Sequence, residues 1–136
     1  MHYMLDTNIC IYLGHVDSRS VREKFAALRR GDAVMSAATY AELRHGVERD
    51  AVNFRASERA LNLLIAEVSV IAFDADAALV YGRLAVTLPR QKRNAIDCMI
   101  AAHAISLDIT LVTNNERDFV AYAEAGGLRV ENWVAG

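Results

Sequence analysis

Short apolar runs of the β-forming kind alternate along this chain with longer segments of helical apolar spacing, and that alternation limits the fold more than any other feature. His2 to Leu5, Ala33 to Ser36, Glu67 to Ile71, Thr110 to Thr113 and, more weakly, Leu128 to Glu131 read as strands. Between them, Ser18 to Arg29, Thr39 to Asp50, Asn53 to Ala66, Asp74 to Leu88 and Ile96 to Leu107 carry helix-like spacing. Strands interleaved with helices predict an α/β layer fold around a mainly parallel sheet. Gly31-Asp32, Asp108 and Gly126-Gly127 mark turns, and Pro89 closes a helix before the basic stretch "RQKR". At 136 residues, without repeats or low-complexity tracts, residues 1–136 are expected to form one domain.

Composition narrows the class. With 54% hydrophobic and 24% charged residues, disorder is excluded, and part of the apolar surplus calls for a cover such as a partner or a twin subunit. No apolar stretch approaches the ~18 residues of a membrane span, and the N-terminus lacks a basic segment followed by a long apolar one, so a cytoplasmic, unprocessed protein is expected. Cys10 and Cys98 sit in apolar helical patterns without ligand-spaced neighbours and read as core residues. A net charge of −2 predicts no blanket attraction to nucleic acid. The basic clusters at Arg29-Arg30 and Arg90 to Arg93 fit either a basic rim around an acidic pocket or ordinary solvated loops.

The acids carry the chemistry. In open parallel sheets ligands bind beyond the carboxyl ends of strands. Asp6 interrupts the apolar run "YMLDTNICIYL" at such an end; Glu42 follows the second strand in the first turns of the next helix; Thr113, Asn114 and Asn115 end the fourth strand, with Asp118 beyond them in an expected turn. Asp97 begins a helix that, running back antiparallel to its strand, would start at the same edge. Two unit charges about 4 Å apart at an effective dielectric near 20 repel by roughly 4 kcal/mol, so clustered carboxylates require protons or a cation. Oxygen-only ligands select a hard ion, Mg²⁺ or Mn²⁺, of the kind that shields phosphate and activates water in phosphodiester hydrolysis.

Each acid also has a plainer reading. Asp6, Thr7 or Asn8 would serve as a helix cap, Asn94 and Asp97 match a loose capping box, Asp118 would serve as a turn residue, and Asp74 and Asp76 read as a cap and a first-turn acid outside any site. Gly46, one turn after Glu42, would clear space beside that acid or permit close helix packing. His103 in "AAHAISL" reads as a core histidine, whereas His15 and His45 read as exposed, and no Ser-His-Asp or Cys-His spacing stands out.

The ordered segments "MLDTNICIYL", "MSAATYAELRHGV", "IDCMIAAHAISLDITLVTNNERDF" and "LRVENW" cover nearly the whole chain and resemble the PIN-domain nucleases, specifically the VapC toxins of bacterial toxin–antitoxin pairs. The resemblance implies a compact three-layer α/β/α domain with a short, mainly parallel sheet, a homodimer, a VapB-like antitoxin partner and an Mg²⁺-dependent endoribonuclease site. Carried over residue by residue, it places metal-holding acids at Asp6, Glu42 and Asp97. Asp118, in "RDF", stands where this subgroup usually has Glu, and Asn115 where many PIN domains have Asp. Thr7, Thr113 and Asn115 are implied as supporting groups, Lys92 and Arg93 as the main RNA contacts with Arg44 and Arg117 as lesser ones, and structured RNA, initiator tRNA in particular, as substrate. The helical stripe Phe54, Leu61, Leu64 and Ile65 is read as core, dimer interface or antitoxin groove. Two rival classes remain: a phosphoacceptor or phosphatase domain, which would want "DxD" where this chain has "DTN" and a lysine beyond Lys92, and a noncatalytic interaction module in which the acids only cap helices.

Overall fold

The computed structural model describes residues 1–14, 19–89 and 94–134. Five strands, β1 (Tyr3–Leu5), β2 (Ala33–Ser36), β3 (Ser69–Ile71), β4 (Thr110–Val112) and β5 (Val130–Glu131), form one sheet in the order β3-β2-β1-β4-β5. All four pairings are parallel, with Met4 opposite both Val34 and Leu111. The crossovers are helical: α1 (Thr7–Gly14) and α2 (Arg19–Ala26) lie between β1 and β2, and α3 (Ala37–Glu48) and α4 (Phe54–Glu67) between β2 and β3. Likewise α5 (Ala75–Ala85) and α6 (Ala95–Leu107) lie between β3 and β4, and α7 (Glu116–Gly126) between β4 and β5. A parallel pair cannot be closed by a tight hairpin, which is why at least one helix stands between successive strands.

Both faces of the sheet are covered, so its central strands are apolar at successive positions rather than alternating. Met4, Val34 and Leu111 point into one core with Leu84, Ile100, Phe119 and Tyr122, from α5, α6 and α7. Their chain neighbours Leu5, Met35 and Val112 point into the other, with Ile9 of α1, Val21 of α2 and Trp133. The expected three-layer α/β/α arrangement is therefore present. Helix α6 is apolar nearly all round, and its run of Ala101, Ala102 and Ala104 is fully buried. At its end Asp108 adopts φ 55° to stop the helix, and its carboxylate pairs with Arg129 at 2.9 Å. Gly126 closes α7 where a Cβ would stand 2.7 Å from Leu84 Cδ2 and 2.9 Å from Ile105 Cδ1, so this helix end tolerates no side chain without displacing its neighbours.

The run after Asp6 is helical from Thr7 onward, as the capping reading of Asp6, Thr7 and Asn8 requires. One helix departs from the sequence expectation. Residues 116–126, expected to hold a turn, form α7, whose buried face is narrow: Phe119 and Tyr122, one turn apart. Asp118 is thus a first-turn helix residue and not a turn residue. Asp74 caps α5 by accepting the Ala77 N–H at 3.0 Å, as its plainer reading holds. Cys10 and Cys98 are buried core thiols.

Candidate active site

Strand β1 has neighbours reached through opposite directions of the chain, β2 on one side and β4 on the other, so a crevice opens beyond their carboxyl ends. Asp6 leaves β1 at that crevice, its N–H donating to the Val112 carbonyl of β4 at 3.0 Å. One carboxylate oxygen accepts the Ile9 N–H at 2.9 Å, which is N-cap geometry for α1. The Thr113 hydroxyl donates to the same carboxylate, and the Thr113 oxygen in turn accepts the Asn115 N–H at 2.9 Å. Asp6 is only 5% exposed, and burial raises its pKa above the usual carboxylate value; these donors, from Thr113, Ile9 and Asn8, oppose the rise, and the charge of Glu42 adds to it.

Three further helices bring acids to the same place. A cavity of about 180 Å³ is lined by Asp6, Glu42, Asp97 and Asp118 and floored by the apolar Ile100 and Phe119. Asp97 stands in the first turn of α6, capped by Asn94, whose side-chain oxygen accepts the N–H groups of Ile96 and Asp97 at 3.0 and 3.1 Å. Burial, then the charges of Asp118, Glu42 and Asp6, push Asp97 up to about 6. Each of those charges acts on Asp97 strongly enough to count, so the four carboxylates form one electrostatic group. Glu42 projects from the second turn of α3 and accepts the Thr7 hydroxyl at 2.5 Å, and Asp118 accepts from the Asn115 side-chain amide.

All four candidate acids therefore line one cavity, and Thr7, Thr113 and Asn115 each bond to one of them or to their supports. Among the described residues no three His, Cys, Asp or Glu side chains are gathered tightly enough to hold an ion as they stand. Three of the four carboxylates are engaged by neutral donors instead, Asp6 by Thr113 and backbone N–H groups, Glu42 by Thr7 and Asp118 by Asn115. Ile100 and Phe119 escaped the sequence reading of the site, although each stands within three residues of a candidate acid.

The basic residues sort differently. Lys92 and Arg93, with the rest of "RQKR", lie outside the described residues, as does His15. Arg44 pairs with Glu48 and, at 2.6 Å, with Glu58, and its guanidinium stands 5.8 Å from the centre of the Phe54 ring. Arg29 and Arg30 precede β2 and so sit at the amino edge of the sheet, opposite the acids, where they cannot form a rim around them. Arg117 is exposed on the first turn of α7 beside Asp118.

A second cavity, about 480 Å³, runs between α1, α3 and α4. Ile11, Leu43, Val47, Leu61 and Leu64 line it, and Thr7 and Glu42 belong to both this groove and the acidic cavity. The α4 stripe is thus divided: Leu61 is buried, Leu64 and Ile65 pack on the Leu5–Met35 core, and Leu61 and Leu64 also face the groove. Gly46 lines the groove with nothing within 4 Å of where its Cβ would stand, so it keeps space open and does not serve close helix packing.

Comparison with known proteins agrees with this geometry. The PIN domain family model matches residues 3–125. The chain belongs to the PIN-domain family. Within it the chain is similar to a tRNA(fMet)-specific endonuclease VapC of Shigella flexneri, 38% identical over 98% of both chains. It is 41% identical to ribonuclease VapC1 of Haemophilus influenzae strain R2866, over 98% of this chain and 99% of that one. The structure of VapBC-1 from nontypeable Haemophilus influenzae superposes with a TM-score of 0.83 at 37% identity, covering 98% of each chain. The family membership and the VapC kinship expected from the ordered motifs are both met, and no helix among the described residues is long and apolar enough to cross a membrane.

Proposed function

We propose that this chain is a VapC-type endoribonuclease toxin that hydrolyses phosphodiester bonds in structured RNA with a divalent cation, Mg²⁺ or its substitute Mn²⁺, and is neutralised by a VapB-like antitoxin. The observation that carries the reading is the convergence of Asp6 from the end of β1 and Glu42, Asp97 and Asp118 from three helices on one cavity at the crevice between β1 and β4. The donor set fits a hard cation: it is all oxygen, and burial, with the neighbouring carboxylates adding to it, raises Asp6 and Asp97, so a bound cation would favour their ionised forms. When bound, such an ion neutralises the carboxylates, shields the phosphate and lowers the pKa of water.

The chain's own residues do the rest. Asp6, held by the Thr113 hydroxyl and two backbone N–H groups, is the fixed member; Thr7 and Asn115 orient Glu42 and Asp118. Asp97 must give up its proton before the site takes a cation, so cleavage rises with pH through about 6. Cleavage would leave a 5′-phosphate and a 3′-hydroxyl. The likeness to a relative named for tRNA(fMet) supports initiator tRNA as the substrate, and exposed Arg117, with Lys92 and Arg93, is the candidate phosphate grip.

The solved VapBC relative supports the antitoxin partner, and the apolar groove between α1, α3 and α4 is its proposed seat, since it ends at Thr7 and Glu42, where a basic side chain would meet the acids. A second copy of the chain is the proposed cover for Leu79 on α5 and Val86 at its C-cap, both exposed and seven residues apart. The decisive experiment incubates the purified chain, free of antitoxin, with total RNA with and without EDTA and maps the cut ends. Cation-dependent cuts that vanish in Asp6→Asn support the reading; cuts that persist in EDTA, or none at all, overturn it. Accumulation of aspartyl phosphate from a small phosphodonor would favour the phosphoacceptor class instead.

A further inference from the structure

His103 is a buried imidazole that the chemistry above does not use. It lies on α6, 1% exposed, with its Nδ1 2.8 Å from the Ser36 hydroxyl oxygen. Ser36 ends β2 and caps α3, its oxygen accepting the Ala38 N–H at 3.1 Å. The ring's bond to the backbone at Ala72 favours the protonated imidazole, so the ring donates there; with Nδ1 on Ser36, that donor is Nε2, and Nδ1 accepts the Ser36 hydroxyl proton. The ring also bonds to the backbone of Ala72, just past β3, and stands edge-on to Phe73 with centroids 5.4 Å apart. One side chain of α6 thus ties together the start of α3 and the segment following β3.

A helix cap needs no such tie: the Ser36–Ala38 bond forms without an imidazole, and a leucine would fill the space. What the tie adds is registration between two helices that each carry a candidate acid. Asp97 stands six residues before His103 on α6, and Glu42 six residues after Ser36 on α3, each about 9 Å along its helix axis from the contact. Glu42 is exposed and beyond the reach of the sheet, so the placement of α3 and the Thr7 hydroxyl are what locate it. We infer that His103 is a positioning residue: by holding the Ser36 hydroxyl it clamps the first turn of α3 against α6 and sets the separation of Glu42 from Asp97. The inference rests on the proposed reading of these acids as a cation site.

The test is calorimetric titration of the full-length chain with Mn²⁺, beside thermal unfolding and RNA cleavage of the same samples. His103→Leu fills the space but cannot accept the Ser36 proton, whereas His103→Asn keeps an acceptor near the Nδ1 position. His103→Leu should bind Mn²⁺ about tenfold more weakly and lower kcat with the KM for RNA unchanged, while His103→Asn stays within about twofold of wild type despite a lowered Tm. Ser36→Gly, which retains a tolerated cap residue but deletes the hydroxyl, should match His103→Leu and provides the measurement if that variant does not fold. Wild-type Mn²⁺ affinity in His103→Leu or in Ser36→Gly, or equal losses in His103→Leu and His103→Asn, overturns the positioning role and leaves the cation site standing. A wild-type chain that binds no Mn²⁺ overturns the cation site and the positioning role together.

Discussion

Replacing Asp97 with asparagine should make the metal-free protein more stable at neutral pH while destroying its cation site. Moving a carboxyl from its ordinary 3.8 to about 6 corresponds to roughly 3 kcal/mol against the ionised form in the fold. Asp97 is only half-buried, so water screens part of that cost, and about 1–2 kcal/mol is the usable share. Its place in the first turn of α6 returns about 0.5 kcal/mol through the helix dipole, which asparagine forgoes. The net gain for Asp97→Asn is about 1 kcal/mol, or a Tm higher by about 3–4 °C for a chain of this length.

The sign with pH follows from proton counting. Between about 4 and 6 the folded chain keeps a proton on Asp97 that the unfolded chain has released, so this group makes stability fall as pH rises through that window. The advantage of Asp97→Asn is therefore full at pH 7.5, about half as large at pH 5 and nearly gone at pH 4. Added Mg²⁺ at pH 7.5 should reverse the order, because a cation that binds only the folded wild type raises its Tm by mass action. Differential scanning of both proteins at these pH values, in EDTA and in Mg²⁺, checks every step. A variant no more stable than wild type in EDTA at pH 7.5, or one whose advantage does not shrink at pH 5, refutes the reasoning from burial and carboxylate crowding.

Other perturbations act on neighbouring parts of the molecule. Thr113→Val removes the hydroxyl that opposes the raised pKa of Asp6 and leaves the Asn115 N–H unpaired; it should lower Tm and weaken Mn²⁺ binding more at pH 6 than at pH 8, measured by calorimetry. Leu64→Glu places a charge on the apolar groove; affinity for the antitoxin should fall at least tenfold by surface plasmon resonance, and an unchanged value would move the partner's seat elsewhere. Leu79→Arg with Val86→Glu should convert a dimer to a monomer in sedimentation with the Tm of the folded unit little changed, since both side chains are exposed. Arg117→Ala should reduce RNA affinity and flatten its salt dependence by about one phosphate contact, read from binding isotherms at several salt concentrations.

The β/α alternation was legible because short β-forming runs and helical apolar spacing differ in period, and each strand expected from it is present, trimmed at one or both ends in all but Ala33–Ser36. Helix α7 was not, for a physical reason: it buries little beyond Phe119 and Tyr122, so its start carries no apolar stripe to read. A signal existed nonetheless. Asn115-Glu-Arg-Asp118 repeats the Asn-x-x-Asp spacing of Asn94 to Asp97, which was read as a capping pattern. The two copies are used differently: Asn94 caps α6 through two backbone N–H groups, whereas Asn115 spends its side chain on Asp118 itself. The groove and the tie through His103 depend on how helices pack across layers, which no local pattern encodes.

Capping and site-building, weighed as rivals in the sequence, are the same act in the fold. Asp6 is the cap of α1, while Asp97 and Asp118 stand at the third positions of α6 and α7, so three of the four acids sit where backbone N–H groups and the positive helix ends favour a carboxylate. Helices entering from the carboxyl edge of a parallel sheet bring those N-termini together at one crevice, and their dipoles offset part of the repulsion that four carboxylates create. The offset is incomplete, since burial and mutual charge still raise Asp97 to about 6 despite its helix end. Glu42 is the exception that fits the rule: it sits a full turn into α3, too far for a dipole to help, and it is the acid that takes a hydroxyl from Thr7, the first residue of the helix Asp6 caps.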